Sequence, residues 1–230
     1  MRQMKGTWYK YYAPTNLGVK RLPPKTVICH YFKDVSFLRP VLLGTFRFDK
    51  KGGWPDPHEG GEHTSPFLIY PAKEDVPLER LKEHQERMKD IRSSKELYAS
   101  CWMIKETDSA LMWSGREHGA CIFSTIDDVV GALNVEDYEI VCGQIRYTNS
   151  RYESHNFADF IFEKAEEYSE EREFRFYLDQ DGDKDYKEIA IDPSVLIHKI
   201  ILGPKVNFPT PAQYVLGDRT IHISKTKLKL

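Results

Sequence analysis

Many short segments of the chain are rich in β-branched and aromatic residues or alternate between apolar and polar positions. Such segments are typical of β-strands with at least one buried face. Pro, Gly, Asn and Asp cluster between them and mark the turns that end each strand. The pattern predicts strands over residues 7–12, 26–32, 42–48, 97–103, 120–126, 138–147, 172–178, 186–191, 198–202 and 220–224.

Apolar residues recur every three to four positions in two longer segments, which is the spacing of one helix face. The first segment, 77–91, begins with Pro and carries Glu, Lys and Arg on its other face, so it is predicted to be a surface helix. The second segment, 154–169, is predicted to pack an aromatic stripe on a sheet. Short helices are predicted over 109–113 and over 128–130, the latter capped by Asp127.

The residues between these elements complete the expected fold. Residues 49–66 are too rich in Gly and Pro for regular structure and are predicted to form a long loop that rims a functional site. The acidic turn 179–183 lies between strands 172–178 and 186–191, which predicts a hairpin. Because strands outnumber helices without βαβ alternation, the expected class is α+β: a twisted, mainly antiparallel sheet with flanking helices.

Composition and charge narrow the class of protein further. The 230 residues are 40% hydrophobic and contain no linker-like segment, so we expect one domain spanning 1–230. With 33 basic and 35 acidic residues, the net charge of −2 gives no overall field toward nucleic acid or an anionic membrane. No apolar stretch resembles a signal peptide or a membrane span, so a cytoplasmic location is expected.

Two groups of residues that could suggest a metal site are better explained otherwise. His58 and His63 lie five positions apart around Gly-Gly, without the helical spacing by which H-E-x-x-H binds zinc, so a solvated loop is predicted. Widely separated cysteines with no CxxC pair predict free thiols, and no metal is expected; they are Cys29, Cys101, Cys121 and Cys142.

The segment Glu171-Arg172-Glu173-Phe174-Arg175-Phe176-Tyr177 concentrates polar chemistry on a predicted strand. A period of two places the two Phe on one face and the carboxylates, the Arg175 guanidinium and the Tyr hydroxyl on the other. That polar face has two interpretations. It is either an exposed face with cross-strand ion pairs, or a site that binds sugar hydroxyls and stabilises a developing cation.

Several motifs also occur in a familiar order: Trp8-Tyr9-Lys10-Tyr11-Tyr12, Trp54-Pro55-Asp56-Pro57-His58-Glu59, Ser100-Cys101-Trp102, Leu111-Met112-Trp113, Gly119-Ala120-Cys121-Ile122-Phe123, Lys164, Glu171-Arg172-Glu173-Phe174-Arg175 and Ile200-Ile201-Leu202-Gly203-Pro204. In this order the chain resembles, over nearly its whole length, the prokaryotic domain-of-unknown-function family numbered twenty-nine seventy-one. Pro55 stands where that family usually has asparagine.

A looser similarity connects the same layout with ADP-ribosyltransferase toxins, whose late strand carries a Glu or Glu-x-Glu motif. The resemblance implies that Glu173 is catalytic, stabilising the oxocarbenium-like transition state, and that Glu171 acts on the acceptor side. It also implies NAD as a substrate. The residues expected to contact NAD are Tyr9, Lys10, Ser100, Trp113 and Arg175.

Three classes of function follow. The first is an NAD-consuming, ADP-ribosyltransferase-like toxin or defence effector that modifies a macromolecule, either nucleic acid or protein, away from the membrane. The second is a metal-dependent nuclease in which magnesium is held by Asp56, Glu59, Glu171 and Glu173. The third is a non-catalytic binding or sensing module with a pocket or partner surface lined by Trp54, Trp102 and Trp113.

Overall fold

A computed structural model describes residues 2–4, 7–12, 21–50, 97–133, 140–148, 162–179, 184–207 and 212–228. The predicted helix 77–91 and most of the predicted loop 49–66 lie outside these residues. So do Asp56, Glu59 and the His58 and His63 pair. Nothing in the structure therefore bears on the loop or on its part in a nuclease site.

Fourteen strands occur among the described residues: β1 (Arg2–Met4), β2 (Thr7–Tyr12), β3 (Val27–Phe32), β4 (Thr45–Lys50), β5 (Leu97–Met103), β6 (Ala120–Thr125), β7 (Ile140–Gln144), β8 (Arg146–Thr148), β9 (Glu163–Ala165), β10 (Glu173–Asp179), β11 (Tyr186–Ala190), β12 (Lys199–Leu202), β13 (Ala212–Leu216) and β14 (Arg219–Lys225). The bounds of β2 and β5 coincide with those predicted from the sequence. Three strands, β1, β9 and β13, were not predicted, and the other differences are mostly one to three residues at a strand end.

Twelve of these strands form one sheet in the part of the chain that the structure describes. Its main path is β1-β2-β7-β10-β5-β3-β6-β12-β14-β13, while β4 pairs with β5 and β11 pairs with β4. The pairs β2–β7 and β12–β14 are parallel and the remaining pairs of this sheet are antiparallel. The expected α+β class with a large, mainly antiparallel sheet is confirmed.

The helices in the described residues are short. They are Leu38–Leu42, Ala110–Trp113, Ile126–Ala132 and Pro193–Leu196, with 3₁₀ turns at Val35–Phe37 and Glu166–Glu171. The predicted cap Asp127 is wrong, because the Thr125 hydroxyl accepts from the backbone N–H of Asp128 and the helix already begins at Ile126.

The predicted strand 42–48 begins later than expected. Leu42 ends a helix, and Gly44 then adopts a φ of 91°, which reverses the chain into β4. Apolar residues at the end of a helix and at the start of a strand form one continuous hydrophobic run, so the sequence does not mark the boundary between them.

The predicted hairpin between strands 172–178 and 186–191 is wrong. β10 pairs with β5 along one edge and with β7 along the other, and β11 pairs with β4 instead. Both edges of β10 are therefore occupied by strands that are distant in the chain. Proximity in sequence favours a hairpin, but β10 lies inside the sheet, where non-local partners satisfy its backbone.

The predicted helix 154–169 is also wrong over its described part. Residues Glu163–Ala165 form β9, which pairs in parallel with β8, and Glu166–Glu171 form a 3₁₀ turn. An α-helix here would place Glu163 four residues before Glu167, and like charges at that spacing destabilise a helix. Pairing with β8 satisfies the backbone of Glu163–Ala165 without that repulsion.

Buried apolar side chains lie on both faces of the sheet. The largest cluster contains Phe174 and Phe176 of β10, and the helix Ile126–Ala132 packs into it. The other face, which carries Tyr177, has two smaller clusters, one around Tyr177 and one around Trp113. The polar residues of β10 lie on this second face.

One histidine of the sheet is held in an apolar environment. The ring of His30 lies 4.7 Å from that of Phe32, 5.4 Å from that of Phe46 and 5.3 Å from that of Trp102. Its Nδ1–H donates to the backbone carbonyl of Cys101 over 2.8 Å. Burial lowers the pKa of His30 to about 4, although the hydrogen bond to Cys101 acts in the opposite direction.

This histidine is expected to make the fold sensitive to mild acid. Since the pKa falls from 6.5 in the unfolded chain to about 4 in the folded protein, the unfolded chain binds the proton more tightly. The stability is complete above pH 6.5 and is lost as the pH falls toward 4. Between pH 7 and pH 4.5 the loss should be about 2–3 kcal/mol, measured by urea unfolding. In His30→Phe this part of the pH dependence should vanish, and an unchanged dependence would contradict it.

Candidate functional site

The polar face of β10 occupies an inner position of the sheet. Glu173 is in register with Met103 of β5, and Arg175 lies between Cys101 of β5 and Gly143 of β7. Hydrogen bonds among Glu173, Arg175 and Tyr177 show that these alternate residues share one face. The predicted alternation is confirmed for Glu173, Arg175 and Tyr177.

A second layer covers this polar face. β8 and β9 form a separate two-stranded parallel sheet, linked to β10 where the N–H of Ile145 donates to the carbonyl of Glu173. Phe162 packs its ring 5.3 Å from that of Tyr177. As a result Glu173 is only 4% exposed and Arg175 only 1%. The interpretation of this face as an exposed surface is therefore wrong.

Arg175 and Glu173 form a bidentate ion pair inside this layer. Arg175 Nε donates to Glu173 Oε1, and Nη2 donates to Oε2 over 3.1 Å. The remaining nitrogen, Nη1, donates to the Tyr177 hydroxyl over 3.2 Å. The guanidinium plane matches the carboxylate in this arrangement, which is stronger and more directional than a single contact. Arg175 thus fixes both oxygens of Glu173.

Lys164 approaches the same carboxylate from the covering layer. Its Nζ lies 2.7 Å from Glu171 Oε2 and 3.4 Å from Glu173 Oε2. It also lies 4.7 Å from the centre of the Tyr168 ring. The Lys164 side chain is 8% exposed. Two carboxylates and two cations therefore meet in a nearly closed, neutral cluster, here called the Glu-x-Glu network: Lys164, Glu171, Glu173 and Arg175.

Glu171 reaches this network from outside the strand. It is the last residue of the 3₁₀ turn Glu166–Glu171, not part of the strand face as the alternation predicted. Arg172 follows with φ 47° and ψ 52°, a left-handed conformation that is uncommon for a residue other than glycine. Its carbonyl accepts from the N–H of Ile104 over 2.9 Å. This turn brings Glu171 back toward Glu173, so that both carboxylates meet one ammonium.

The electrostatics keep Glu173 ionised. Burial alone would raise the pKa of this carboxyl, but the Arg175 guanidinium and the Lys164 ammonium outweigh burial and hold it well below its usual range. The same ion pair raises the pKa of Arg175 against the effect of burial. The pair of Glu173 and Arg175 is thus charged at neutral pH.

Two further residues contact Glu173 and were not identified from the sequence. The Tyr147 hydroxyl accepts from the backbone N–H of Glu173 over 2.7 Å, and burial raises the pKa of Tyr147. The Cys101 thiol forms a side-chain hydrogen bond with Glu173, which also lowers the pKa of that carboxyl. These contacts depend on which strands pair and in which register, and that pairing is a property of the folded sheet.

Two residues expected to contact NAD lie away from this network. Ser100 is next to Cys101 on β5 and therefore lies on the opposite face, where its hydroxyl accepts from Trp102 Nε1 over 2.9 Å. Trp113 is fully buried in the cluster around Tyr31, with its Nε1 donating to Asp108 Oδ2 over 3.0 Å. Neither joins the Glu-x-Glu network.

The other two expected residues are on β2. Tyr9 is in register with Ile140 of β7, and Lys10 with Val141. Because β7 separates β2 from β10, both residues are two strands from the network. The structure thus brings together Glu171, Glu173 and Arg175, and leaves Tyr9, Lys10, Ser100 and Trp113 elsewhere in the fold.

Other classes of site find limited support in the described residues. These contain no group of three or more His, Cys, Asp or Glu side chains arranged to hold a metal ion. All four cysteines are free thiols, as predicted, and only Cys101 is partly exposed. No described helix has the length and apolar composition needed to cross a bilayer.

Comparison with known proteins does not assign this chain to a family or a function. Searches against protein-family models, curated proteins and solved structures found no match for this chain. The resemblances described for the sequence therefore remain predictions, and the Glu-x-Glu network is the structural feature that bears on function.

Proposed function

We propose that this protein is an NAD-consuming, ADP-ribosyltransferase-like enzyme whose site lies at the start of β10. One observation carries the proposal. The carboxylates of Glu171 and Glu173 meet at a single ammonium, 2.7 Å and 3.4 Å from Lys164 Nζ, although a left-handed residue separates them. A strained backbone that orients charged side chains is typical of functional sites.

The chemistry of ADP-ribosyl transfer suits such a pair. The bond between nicotinamide and the ribose breaks, its electron pair leaves with nicotinamide, and positive charge develops on the ribose. A carboxylate that stays ionised stabilises this charge, which is the role proposed for Glu173. A second carboxylate accepts the proton of the attacking group as the new bond to the ribose forms.

The two roles are assigned to Glu171 and Glu173 by their different exposure to solvent. The Glu171 side chain is 27% exposed, whereas the Glu173 side chain is 5% exposed. An incoming acceptor would reach Glu171 first, so Glu171 is the proposed acceptor-side base. In this scheme Arg175 holds Glu173 in place, and NAD is the proposed substrate. The acceptor is a macromolecule, and no metal takes part in the proposed steps.

The proposal is tested by nicotinamide release from NAD in the presence of a cell lysate. Glu171→Gln keeps the shape of the side chain and removes its charge, so release should fall about 100-fold. Glu170→Gln is the matched control, because Glu170 is exposed in the same 3₁₀ turn. Equal release by wild type and Glu171→Gln, or no release by wild type, would contradict the proposal.

A non-catalytic binding or sensing module is the second candidate. It is favoured by the complete pairing of Glu173, whose two oxygens both accept from Arg175 inside a neutral, buried cluster. A network that only stabilises the fold needs no access to substrate. In that case Glu171→Gln changes the free energy of unfolding alone, and the same assay separates the two functions.

A further inference from the structure

Lys164 connects the covering layer of β8 and β9 with Glu173 of β10. It belongs to β9, where it is in register with Tyr147 of β8, while its ammonium reaches Glu171 and Glu173. The lysine is fixed at both ends, because its backbone belongs to the small sheet and its ammonium lies over Tyr168. A lysine that is fixed in this way also fixes the carboxylates that its ammonium binds.

The two cations of the network, Arg175 and Lys164, have different partners. From β10, Arg175 binds both oxygens of Glu173 and its last nitrogen reaches Tyr177. From β5 the Cys101 thiol bonds Glu173, and from β8 the Tyr147 hydroxyl bonds the Glu173 backbone. Lys164 is the cation that contacts Glu171 at 2.7 Å while also lying near Glu173.

Two carboxylates that meet at one point repel each other unless a cation lies between them. Both carboxylates contact the same Nζ, so their nearest oxygens are at most about 6 Å apart, which follows from 2.7 Å plus 3.4 Å. Without the ammonium, Glu171 has a route away from Glu173 because its side chain is partly exposed.

We propose that Lys164 is a positioning residue of this site, which holds the carboxylate of Glu171 beside Glu173 so that the acceptor is activated next to the ribose. This inference rests on the proposed function. In this scheme Lys164 does not contact the substrate and does not transfer a proton. Its effect is expected on the catalytic step and not on the binding of NAD, because Glu171 acts on the acceptor side.

The kinetic test compares Lys164→Met, Lys164→Gln and Lys164→Arg in the nicotinamide-release assay. The two neutral variants should lower kcat at least about 30-fold and leave the KM for NAD within about twofold. Lys164→Arg restores the charge and should recover a substantial part of kcat. Lys199→Met is the matched control, since Lys199 also lies over an aromatic ring, 4.0 Å from the centre of Phe123, outside the site.

Folding is checked by circular dichroism, and Lys164→Gln decides the result if Lys164→Met does not fold, since its amide still donates toward the carboxylates. A folded neutral variant with wild-type kcat would overturn the inference. Failure of Lys164→Arg to recover any activity lost in Lys164→Gln would overturn it too.

A second measurement separates this inference from the proposed function. NMR titration of the Glu173 carboxyl should give a higher pKa in Lys164→Gln than in wild type, because Lys164 is one of the groups that lower it. No nicotinamide release from wild type would contradict the proposed function. An unchanged titration of Glu173 would contradict the placement of Lys164.

Discussion

Replacing Arg175 with Met is expected to lower the free energy of unfolding by about 3–5 kcal/mol, measured by urea denaturation at pH 7. The guanidinium is 1% exposed and binds both oxygens of Glu173, which is itself 4% exposed. The variant leaves a carboxylate buried with Lys164 as its remaining cation partner in the described network. A buried charge that loses its partner costs far more than the pair contributes when intact.

A double variant is the control for this prediction. Glu173→Met combined with Arg175→Met removes both charges and fills the space with apolar side chains of similar length. Replacing a buried pair as a whole is often close to neutral, so the double variant should be more stable than Arg175→Met alone. A loss below about 1 kcal/mol in Arg175→Met would contradict the description of this pair as buried and tightly coupled.

Gly119→Ala is expected to destabilise the fold by more than about 3 kcal/mol, because overpacking against rigid backbone is among the most damaging changes. A Cβ at Gly119 would lie 1.9 Å from the carbonyl oxygen of Phe32 and 3.0 Å from that of Arg116. Both atoms are backbone, so no side-chain rotation relieves the clash. The strand pair β3–β6 would have to separate at Ala120, the partner of Phe32.

Gly131→Ala is the matched control for this change. A Cβ at Gly131 meets only Val195 Cγ1, at the ordinary contact distance of 3.9 Å. Gly131 lies inside the helix Ile126–Ala132, where Ala is favoured over Gly by about 0.5–1 kcal/mol. Thermal unfolding should therefore show a loss at Gly119 and no loss at Gly131. Equal melting temperatures for Gly119→Ala and wild type would contradict the close approach of β3 and β6.

The local pattern of the sequence was sufficient to predict most of the strands. The alternation in β10 correctly placed Phe174 and Phe176 on one face and Glu173, Arg175 and Tyr177 on the other. Side-chain direction in a strand depends only on its period of two, which any short segment displays. The predicted class followed from the number and order of such segments.

Strand pairing could not be predicted in the same way. The turn after β10 favoured a hairpin with β11, whereas β10 is bound by β5 and β7. Partner choice depends on the whole set of strands that must bury their faces together. Burial of Glu173 and Arg175 was missed for the same reason, because the β8–β9 layer that covers them could not be seen in the local pattern.

The site was predicted only as far as neighbouring residues in the sequence determine it. Glu171, Glu173 and Arg175 meet because they are close along the chain. Ser100 does not belong to the site because it is one residue away from the partner of Arg175, which is Cys101. An offset of one residue places a side chain on the opposite face of the sheet. That offset becomes known only when the pairing of β5 with β10 is known.

The proposed consumption of NAD at the carboxylates of Glu171 and Glu173 can be measured directly. The most direct measurement is the initial rate of nicotinamide release by wild type and by Glu173→Gln, in lysate with added NAD, at a temperature where both proteins are folded. Wild type is expected to release nicotinamide at least about 100-fold faster than the variant. Equal rates for the two folded proteins, or no release by wild type, would contradict it.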